Sequence, residues 1–172
     1  MLLLAIMAGK ASAQSGSHEY PLKSVFLLNF AQFTDWPTNA LPSPATPFVI
    51  GVLGDDPFGS ALEQTVRGTD WNGHPFLIQR YRKVEEIQNC EILFISQSEA
   101  KRVDKIVAAV KDRPILTVSE IENSALCGVG VQFLTEANKI HLRINTNTLE
   151  LAHLTMSSKL LRVADLVPVQ KN

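Results

Sequence analysis

Three short segments, each followed by a helical pattern, constrain the fold of this chain more than any other feature. They span residues 48–53, 90–95 and 114–118, are mostly apolar, and each has the length of one strand. The first is apolar throughout, which is typical of a parallel strand with helices on both faces of the sheet. A fourth segment, 74–81, alternates and is also predicted to be a strand. The sequence therefore predicts an α/β fold with a mostly parallel sheet flanked by helices.

The segments between these strands have helical patterns. One predicted helix passes through Leu62 and Val66 and ends near Gly68, a short one covers 84–88, and a longer one covers 99–111. Ser96 and Glu99 have the spacing of a capping box at the start of the longest helix.

The helix predicted before the first strand, over 19–33, carries a stripe of mostly apolar residues. Its members are three or four residues apart, which is the spacing of one helical face. They are Leu22, Val25, Phe26, Asn29, Phe30 and Phe33. A stripe of this kind more often belongs to a core than to a functional surface, and we interpret it as core.

The pattern changes near residue 129. Segments 129–135 and Lys139–Ile144 flank the short loop 136–138, whose length suits a β-hairpin. We therefore expect an antiparallel hairpin at the C-terminal edge of the sheet. The tail after Asn145 has the apolar spacing of two helical segments, broken around 155–157.

The first residues differ from the rest of the chain. An apolar run over 2–8 precedes the small residues Ala11, Ser12 and Ala13, and this resembles the apolar region and cleavage site of a secretory signal. We predict a signal peptide over 1–13, a linker over 14–18 and a single α/β domain over 19–172, a usual domain length. Export predicts a periplasmic or secreted protein; a disordered or helical N-terminal extension is the alternative.

Charge and aromatic patterning argue against a nucleic-acid partner. The 16 basic and 17 acidic residues give a net charge of -1, so no overall field attracts a phosphate backbone or an anionic membrane. Trp71 and the phenylalanines are not interleaved with a basic cluster that could form a base-stacking surface.

The spacing of chemically reactive residues matches no catalytic or metal-binding motif. The four histidines are scattered, without the i,i+4 spacing of a helical metal site. They are His18, His74, His141 and His153. Ser158 and Lys159 are neighbours, but no oxyanion motif accompanies them. We therefore predict that the protein is not an enzyme and has no metal or other cofactor.

The segment 54–59, with the sequence GDDPFG, is the most plausible ligand site. It lies between a strand and a helix, where backbone N–H groups can bind an anion. It lacks the glycine-rich phosphate-binding motifs, and Asp55 and Asp56 would repel a phosphate. We favour a turn and N-cap role for the two aspartates. The alternative is a small ligand bound by Gly54, Asp55, Asp56 and Gly59.

Cys90 and Cys127 are the two cysteines of the chain. An oxidising compartment would permit a disulfide between them. Two small buried apolar side chains are an equally good interpretation, and the sequence leaves both alternatives open.

Four sequence blocks, in this order, resemble the YfiR family. They are KSVFLLNFA with FTDWP (23–31 and 33–37), GVLGDDPFG (51–59), CEILFIS with SE (90–96 and 98–99), and SSKLLR (157–162). Together they extend over nearly the whole chain that follows the predicted signal peptide.

The resemblance implies a function. It implies a periplasmic repressor that binds the periplasmic domain of an inner-membrane diguanylate cyclase of the YfiN type and so lowers cyclic di-GMP. It also implies that an outer-membrane lipoprotein of the YfiB type sequesters the repressor, and that the repressor forms a homodimer. Some members have a cysteine near the first strand as a partner for the Cys90 position, where this chain has Gly51.

A repressor of this kind needs a docking surface of apolar and charged residues. The amphipathic C-terminal region is our candidate, with Glu150, His153, Lys159 and Arg162 as partner-binding residues. The alternative function is a periplasmic small-ligand-binding domain that serves a sensor kinase or a transporter, with its ligand near 54–59.

Overall fold

An eight-stranded sheet forms the centre of the protein in the computed structural model, which describes residues 16–168. The strands are β1 (Thr34–Asp35), β2 (Phe48–Leu53), β3 (Asp70–Trp71), β4 (His74–Tyr81), β5 (Ile92–Ile95), β6 (Leu116–Ser119), β7 (Val131–Glu136), β8 (Lys139–Ile144), β9 (Thr155–Met156) and β10 (Asp165–Leu166). The helices are α1 (Gly16–Gln32), α2 (Ala61–Val66), α3 (Val103–Val110), α4 (Thr146–Leu151) and α5 (Ser158–Leu161). Two 3-10 helices, Val84–Glu86 and Gln97–Arg102, complete the fold.

The strand order across the sheet is β10-β8-β7-β6-β5-β2-β4-β3. The five strands β4, β2, β5, β6 and β7 are parallel to their neighbours in this series. The β7–β8 hairpin is antiparallel, and the two-residue strand β10 pairs with its outer side. The predicted α/β class, the mostly parallel sheet and the C-terminal hairpin are therefore confirmed. A separate two-stranded sheet joins β1 to β9.

Helices cover both faces of the central strands, which explains why these strands are uniformly apolar. On one face, Ile50 and Phe94 belong to a buried cluster with Phe30 of α1 and Leu62 of α2. On the other face, Leu93 belongs to a second cluster that includes residues of α3. Every residue of β2, β5 and β6 is buried.

The interpretation of the α1 stripe as core is wrong for most of its members. Leu22, Val25 and Phe33 are 47%, 43% and 39% exposed, Asn29 is also exposed, and Phe26 is half-buried. Only Phe30 of the stripe is buried. Apolar residues occur all around this helix, so their spacing did not decide which face turns inward.

The buried face of α1 includes a charged residue. Lys23 is 1% exposed, and its Nζ lies 2.6 Å from Glu19 Oε1 and 2.5 Å from Glu120 Oε2. The Tyr20 hydroxyl also donates to Glu120, and burial beside that carboxylate raises the pKa of Tyr20 to about 12. Paired carboxylates offset the cost of burying the ammonium group, which allows α1 to dock through this side.

The hairpin loop is one residue shorter than predicted. β7 continues through Glu136, so only Ala137 and Asn138 connect it to β8. Both have positive φ, 47° and 61°, as the inner residues of a type I′ turn require.

The capping box predicted from Ser96 and Glu99 is wrong. The Ser96 side chain makes no capping hydrogen bond, and the Glu99 carboxylate binds Arg102 instead. The residues after Ser96 form a 3-10 helix, and α3 begins only at Val103. The nearby guanidinium competes successfully for the carboxylate that the cap would need.

Most of the N-terminal predictions concern residues outside the part of the chain that the structure describes. The signal peptide predicted over 1–13 lies outside the described residues. α1 begins at Gly16, three residues before the predicted start and within the segment interpreted as a linker. No helix described here is both long and apolar enough to cross a membrane.

Candidate partner-binding surface

Side chains from the protein itself fill the crevice at the carboxyl ends of β2 and β5. The Asp55 amide donates to Ser98 Oγ at 2.9 Å. Gly54 has a φ of 93°, and a Cβ at this position would collide with Ser98 and Glu99. The crevice in which an α/β sheet commonly binds ligands is therefore closed at this point.

Asp56 and Gly59 of the 54–59 loop are also bound to neighbours. Arg80 of β4 donates to Asp56 Oδ2 and to the Gly59 carbonyl, both at 2.9 Å, and to Glu63 Oε1. Asp56 Oδ1 accepts from the Phe58 amide at 2.8 Å, which is the hydrogen bond of an Asx turn. The Arg80 guanidinium lowers the pKa of Glu63. This geometry matches the turn role for Asp56, but the predicted N-cap role is wrong, because Ser60 is the N-cap residue of α2. The same contacts give the ligand hypothesis no support.

The reactive side chains do not converge. His74 Nδ1 lies 2.7 Å from the Thr46 carbonyl, whereas His141 and His153 are exposed elsewhere. Within 16–168, no three His, Cys, Asp or Glu side chains are grouped as metal ligands would be.

Both cysteines are free thiols, and only Cys90 is buried, so the interpretation as two buried apolar side chains fits Cys90 but not Cys127. Cys90 is buried beside Gly51 and Tyr81, and its thiol donates to the Ile92 carbonyl. Cys127 is exposed, in the turn before β7, next to Asp104. Burial raises the pKa of Cys90 strongly, which makes its thiol unreactive.

The four residues predicted to bind a partner are all exposed. Glu150 lies in α4, His153 lies in the turn that follows, Lys159 lies in α5, and Arg162 caps that helix. His153 has a φ of 57°, a left-handed conformation that reverses the chain between α4 and β9. None of the four takes part in an ion pair with another described residue. Their charges are therefore free to interact with another molecule.

Sequence reasoning missed a groove formed in part by α4, the helix that carries Glu150. The groove has a volume of about 650 Å³, and the residues that line it include Leu126, Leu151, Val167 and Lys111. Leu126 and Leu151 are 60% and 54% exposed. Leu126 lies in an irregular turn without periodicity, so no pattern in the sequence marked it.

The two-stranded sheet connects this region to the exposed face of α1. β9 pairs with β1 directly after α1, and the Ser157 amide donates to the Phe33 carbonyl at 2.8 Å. Phe33, whose side chain is exposed, therefore lies next to the start of α5. We call the exposed residues of α4, α5 and the groove the C-terminal surface; they are Leu126, Glu150, Leu151, His153, Lys159, Arg162 and Val163.

Fold and surface together define an α/β protein whose exposed apolar and charged residues suit docking to another protein. Comparison with protein families adds the identification: a model described as YfiR/HmsC-like matches residues 20–165. The chain therefore belongs to the YfiR/HmsC-like family, as the four sequence blocks predicted. No curated protein sequence matches the chain.

Family membership gives the coarse function. It indicates a periplasmic regulator of diguanylate cyclase signalling that acts through a protein partner, in a family of regulatory proteins not known as enzymes. The homodimer, the particular partner and the residues that bind it stay predictions.

Proposed function

We propose that this protein represses a membrane-bound diguanylate cyclase of the YfiN type by binding its periplasmic domain through the C-terminal surface. The observation that carries the proposal is the groove of about 650 Å³ with Leu126 and Leu151 on its walls; Leu151 lies in α4, the helix that also carries the exposed Glu150. Exposed apolar groups in a recessed surface gain free energy when a partner removes them from water.

Repression by such a surface is a matter of differential affinity. A bound protein shifts a receptor between two conformations only as far as it prefers one of them. Moving a cyclase from about 99% active to about 1% active needs a preference of about 10⁴-fold for the inactive form. The groove would supply apolar contact area, and Glu150, His153, Lys159 and Arg162 would supply orientation and specificity.

The closed crevice at 54–59 supports this proposal over a small-ligand function. Ser98 occupies the space above Gly54, and Arg80 binds the polar groups of Asp56 and Gly59. A metabolite would have to displace these contacts before it could bind.

Release of the repressor is proposed to follow from competition. An outer-membrane lipoprotein of the YfiB type that binds the C-terminal surface would lower the concentration of free repressor and restore cyclase activity. Export to the periplasm, through cleavage of the predicted signal over 1–13, would bring the three proteins into one compartment. N-terminal sequencing of the mature protein tests the cleavage, and an intact Met1 in the cytoplasm would contradict it.

Binding to the immobilised periplasmic domain of the cyclase tests the surface. Leu151→Arg is expected to raise Kd by about tenfold or more, because it places a charge where an apolar contact forms. Leu22→Arg is the matched control: Leu22 is 47% exposed, against 54% for Leu151, but lies on α1. Both variants are first checked for unchanged thermal unfolding. Equal loss in both, or no loss in Leu151→Arg, would refute the assignment.

A further inference from the structure

The strand β4 has a short free edge. Its residues 76–81 pair with β2 on one side, whereas β3 pairs only with His74 and Pro75 on the other. In the described part of the chain, no strand lies against the outer side of residues 77–80. Exposed strand edges pair readily with another chain unless proline or lysine interrupts them, and 77–80 contains neither residue. This stretch is therefore open to an added strand.

The backbone groups available on this edge belong to Ile78 and Arg80. The Tyr81 carbonyl accepts from the Gly54 amide at 3.0 Å, and Gly54 directly follows β2, so the backbone of Tyr81 faces β2. Backbone groups of successive residues in a strand point to opposite sides. Ile78 and Arg80 therefore direct their backbone groups outward, and each offers one donor and one acceptor to an added strand.

A pocket of about 300 Å³ lies beside the same stretch. Leu77 and Gln79 of β4 line it, together with Pro47, Val49 and Glu86. In an antiparallel pair, the side chains of directly opposed residues stand on the same face of the sheet, with Cβ atoms about 5 Å apart. A residue opposite Leu77 or Gln79 would therefore direct its side chain towards the pocket. The apolar walls suit an apolar side chain, and Glu86 would repel an acidic one.

Exposed basic residues follow this stretch. Arg82 and Lys83 are exposed, and neither forms an ion pair with another residue that the structure describes. Glu86 lies close to them, but its carboxylate accepts from the Arg82 amide at 2.9 Å and is held against the backbone. Near the other end of the stretch, the exposed Asp70 lies opposite Pro75. The carboxyl end of β4 is thus the end that attracts an acidic residue.

We infer that residues 77–80 bind an extended acidic segment of another protein, which adds to the sheet as an antiparallel strand. Antiparallel pairing is the more stable arrangement per residue, and it places the amino-terminal end of the segment beside Arg82 and Lys83. The segment begins with acidic residues and continues with apolar residues at alternate positions, which point towards the pocket. Main-chain hydrogen bonds give the affinity of such a complex, and the pocket gives specificity.

The length of the free stretch favours a short segment over a second copy of β4. If two copies paired symmetrically about Ile78, Tyr81 of one copy would lie opposite Pro75 of the other, a place that Asp70 already occupies. A segment that ends opposite Leu77 avoids this overlap.

This site is separate from the C-terminal surface. β10 lies at the opposite end of the eight-stranded sheet from β4 and β3. The inference does not rest on the proposed function. Leu151→Arg should leave binding at β4 unchanged, so failure of the one proposal is distinguished from failure of the other.

Fluorescence anisotropy with synthetic peptides tests the inference. The probe is a fluorescein-labelled peptide of sequence EEVTVTV, whose last valine should lie opposite Leu77 and whose glutamates should lie opposite Arg82 and Lys83. In this register the threonines form the hydrogen-bonded pairs with Ile78 and Arg80, and the valine N–H groups point away from β4. N-methylation of both threonines should therefore raise Kd by at least about tenfold. N-methylation of the valines is the matched control and should change Kd by less than about twofold.

Charge reversal on the protein gives a second measurement. Arg82→Glu/Lys83→Glu should raise the Kd of EEVTVTV by about tenfold and lower that of the peptide KKVTVTV. Lys105→Glu/Lys139→Glu is the matched control, because it makes the same change in net charge at exposed residues of α3 and β8. Both variants are first checked for unchanged thermal unfolding.

Four results would each overturn the inference. They are absence of EEVTVTV binding at about 1 mM, loss of binding from valine methylation that equals or exceeds the loss from threonine methylation, equal loss in the two protein variants, and weaker apparent binding at higher protein concentration. The last result would show that a second copy of the chain occupies the edge.

Discussion

Glu91 provides the sharpest test of the energetics of this fold. The residue directly precedes β5 and is 4% exposed, and its Oε2 accepts a hydrogen bond from the Val49 amide at 2.6 Å. Burial disfavours the charged form, while the hydrogen bond from Val49 favours it. Burial is the larger effect, and it raises the pKa of Glu91 from 4.5 to about 7.

The sign of the pH effect follows from the direction of this shift. Because the folded protein holds the Glu91 proton more tightly than the unfolded chain does, folding is favoured at low pH. The contribution of the Glu91 proton to the free energy of unfolding is fully present below pH 4.5 and is lost as the pH rises to about 7. Above that pH the free energy of unfolding no longer changes through Glu91. At about 1.4 kcal/mol per pH unit, the whole loss is about 3 kcal/mol.

Glu91→Gln should remove this loss. The amide keeps an oxygen that can accept from Val49 and carries no charge, so the variant should be more stable than wild type at pH 8 by about 2–3 kcal/mol. At pH 5 the gain should fall below about 1 kcal/mol. Urea unfolding followed by tryptophan fluorescence at both pH values measures the two differences.

Glu85→Gln is the matched control, because Glu85 is exposed and lies on the neighbouring 3-10 helix. It should change the free energy of unfolding little at either pH. If Glu91→Gln were no more stable than wild type at pH 8, the reasoning about burial would be refuted.

Three further predictions concern other parts of the fold. Lys23→Ala should destabilise the protein by about 3 kcal/mol, because it leaves Glu120 without its cation; unchanged urea unfolding would contradict this. Maleimide should label Cys127 in the native protein and Cys90 only after unfolding, and native labelling of both would contradict the burial of Cys90. Asn138→Gly should stabilise the hairpin by about 0.5–1 kcal/mol in thermal unfolding, since glycine accepts positive φ more readily; destabilisation would contradict this.

Much of the sheet could be predicted from the sequence, because the apolar composition of its central strands identifies them without knowledge of the rest of the fold. Residues 48–53 and 92–95 are apolar throughout, and both form strands buried on each face. The hairpin also follows from local alternation around a short polar loop. The strands β1, β3, β9 and β10 have two residues each, which is too short for any periodic pattern.

The orientation of α1 could not be predicted because it depends on distant partners. Lys23 turns inward where two carboxylates accept its ammonium group, and one of them, Glu120, is 97 residues away in the chain. A lysine considered alone belongs on the surface. Similarly, the sequence alone could not show that the Glu99 carboxylate binds Arg102 and does not cap the helix. That choice depends on the geometry of the 3-10 helix.

The charged residues of the candidate surface were predicted from the sequence, whereas its apolar residues were not. Glu150, His153, Lys159 and Arg162 stood out as polar positions of an amphipathic tail, and all are exposed. The groove forms where the turn containing Leu126 meets α4 and the segment after β10. Only the fold brings these three segments together.

Cyclase output is the most direct test of the proposed repression. A full-length YfiN-type cyclase in lipid nanodiscs would be titrated with the mature protein, and cyclic di-GMP production would be measured together with binding. Production should fall with a saturable dependence, reach half its effect near the measured Kd, and be spared by Leu151→Arg at the same concentrations. Unchanged production at a concentration that saturates binding would contradict the account.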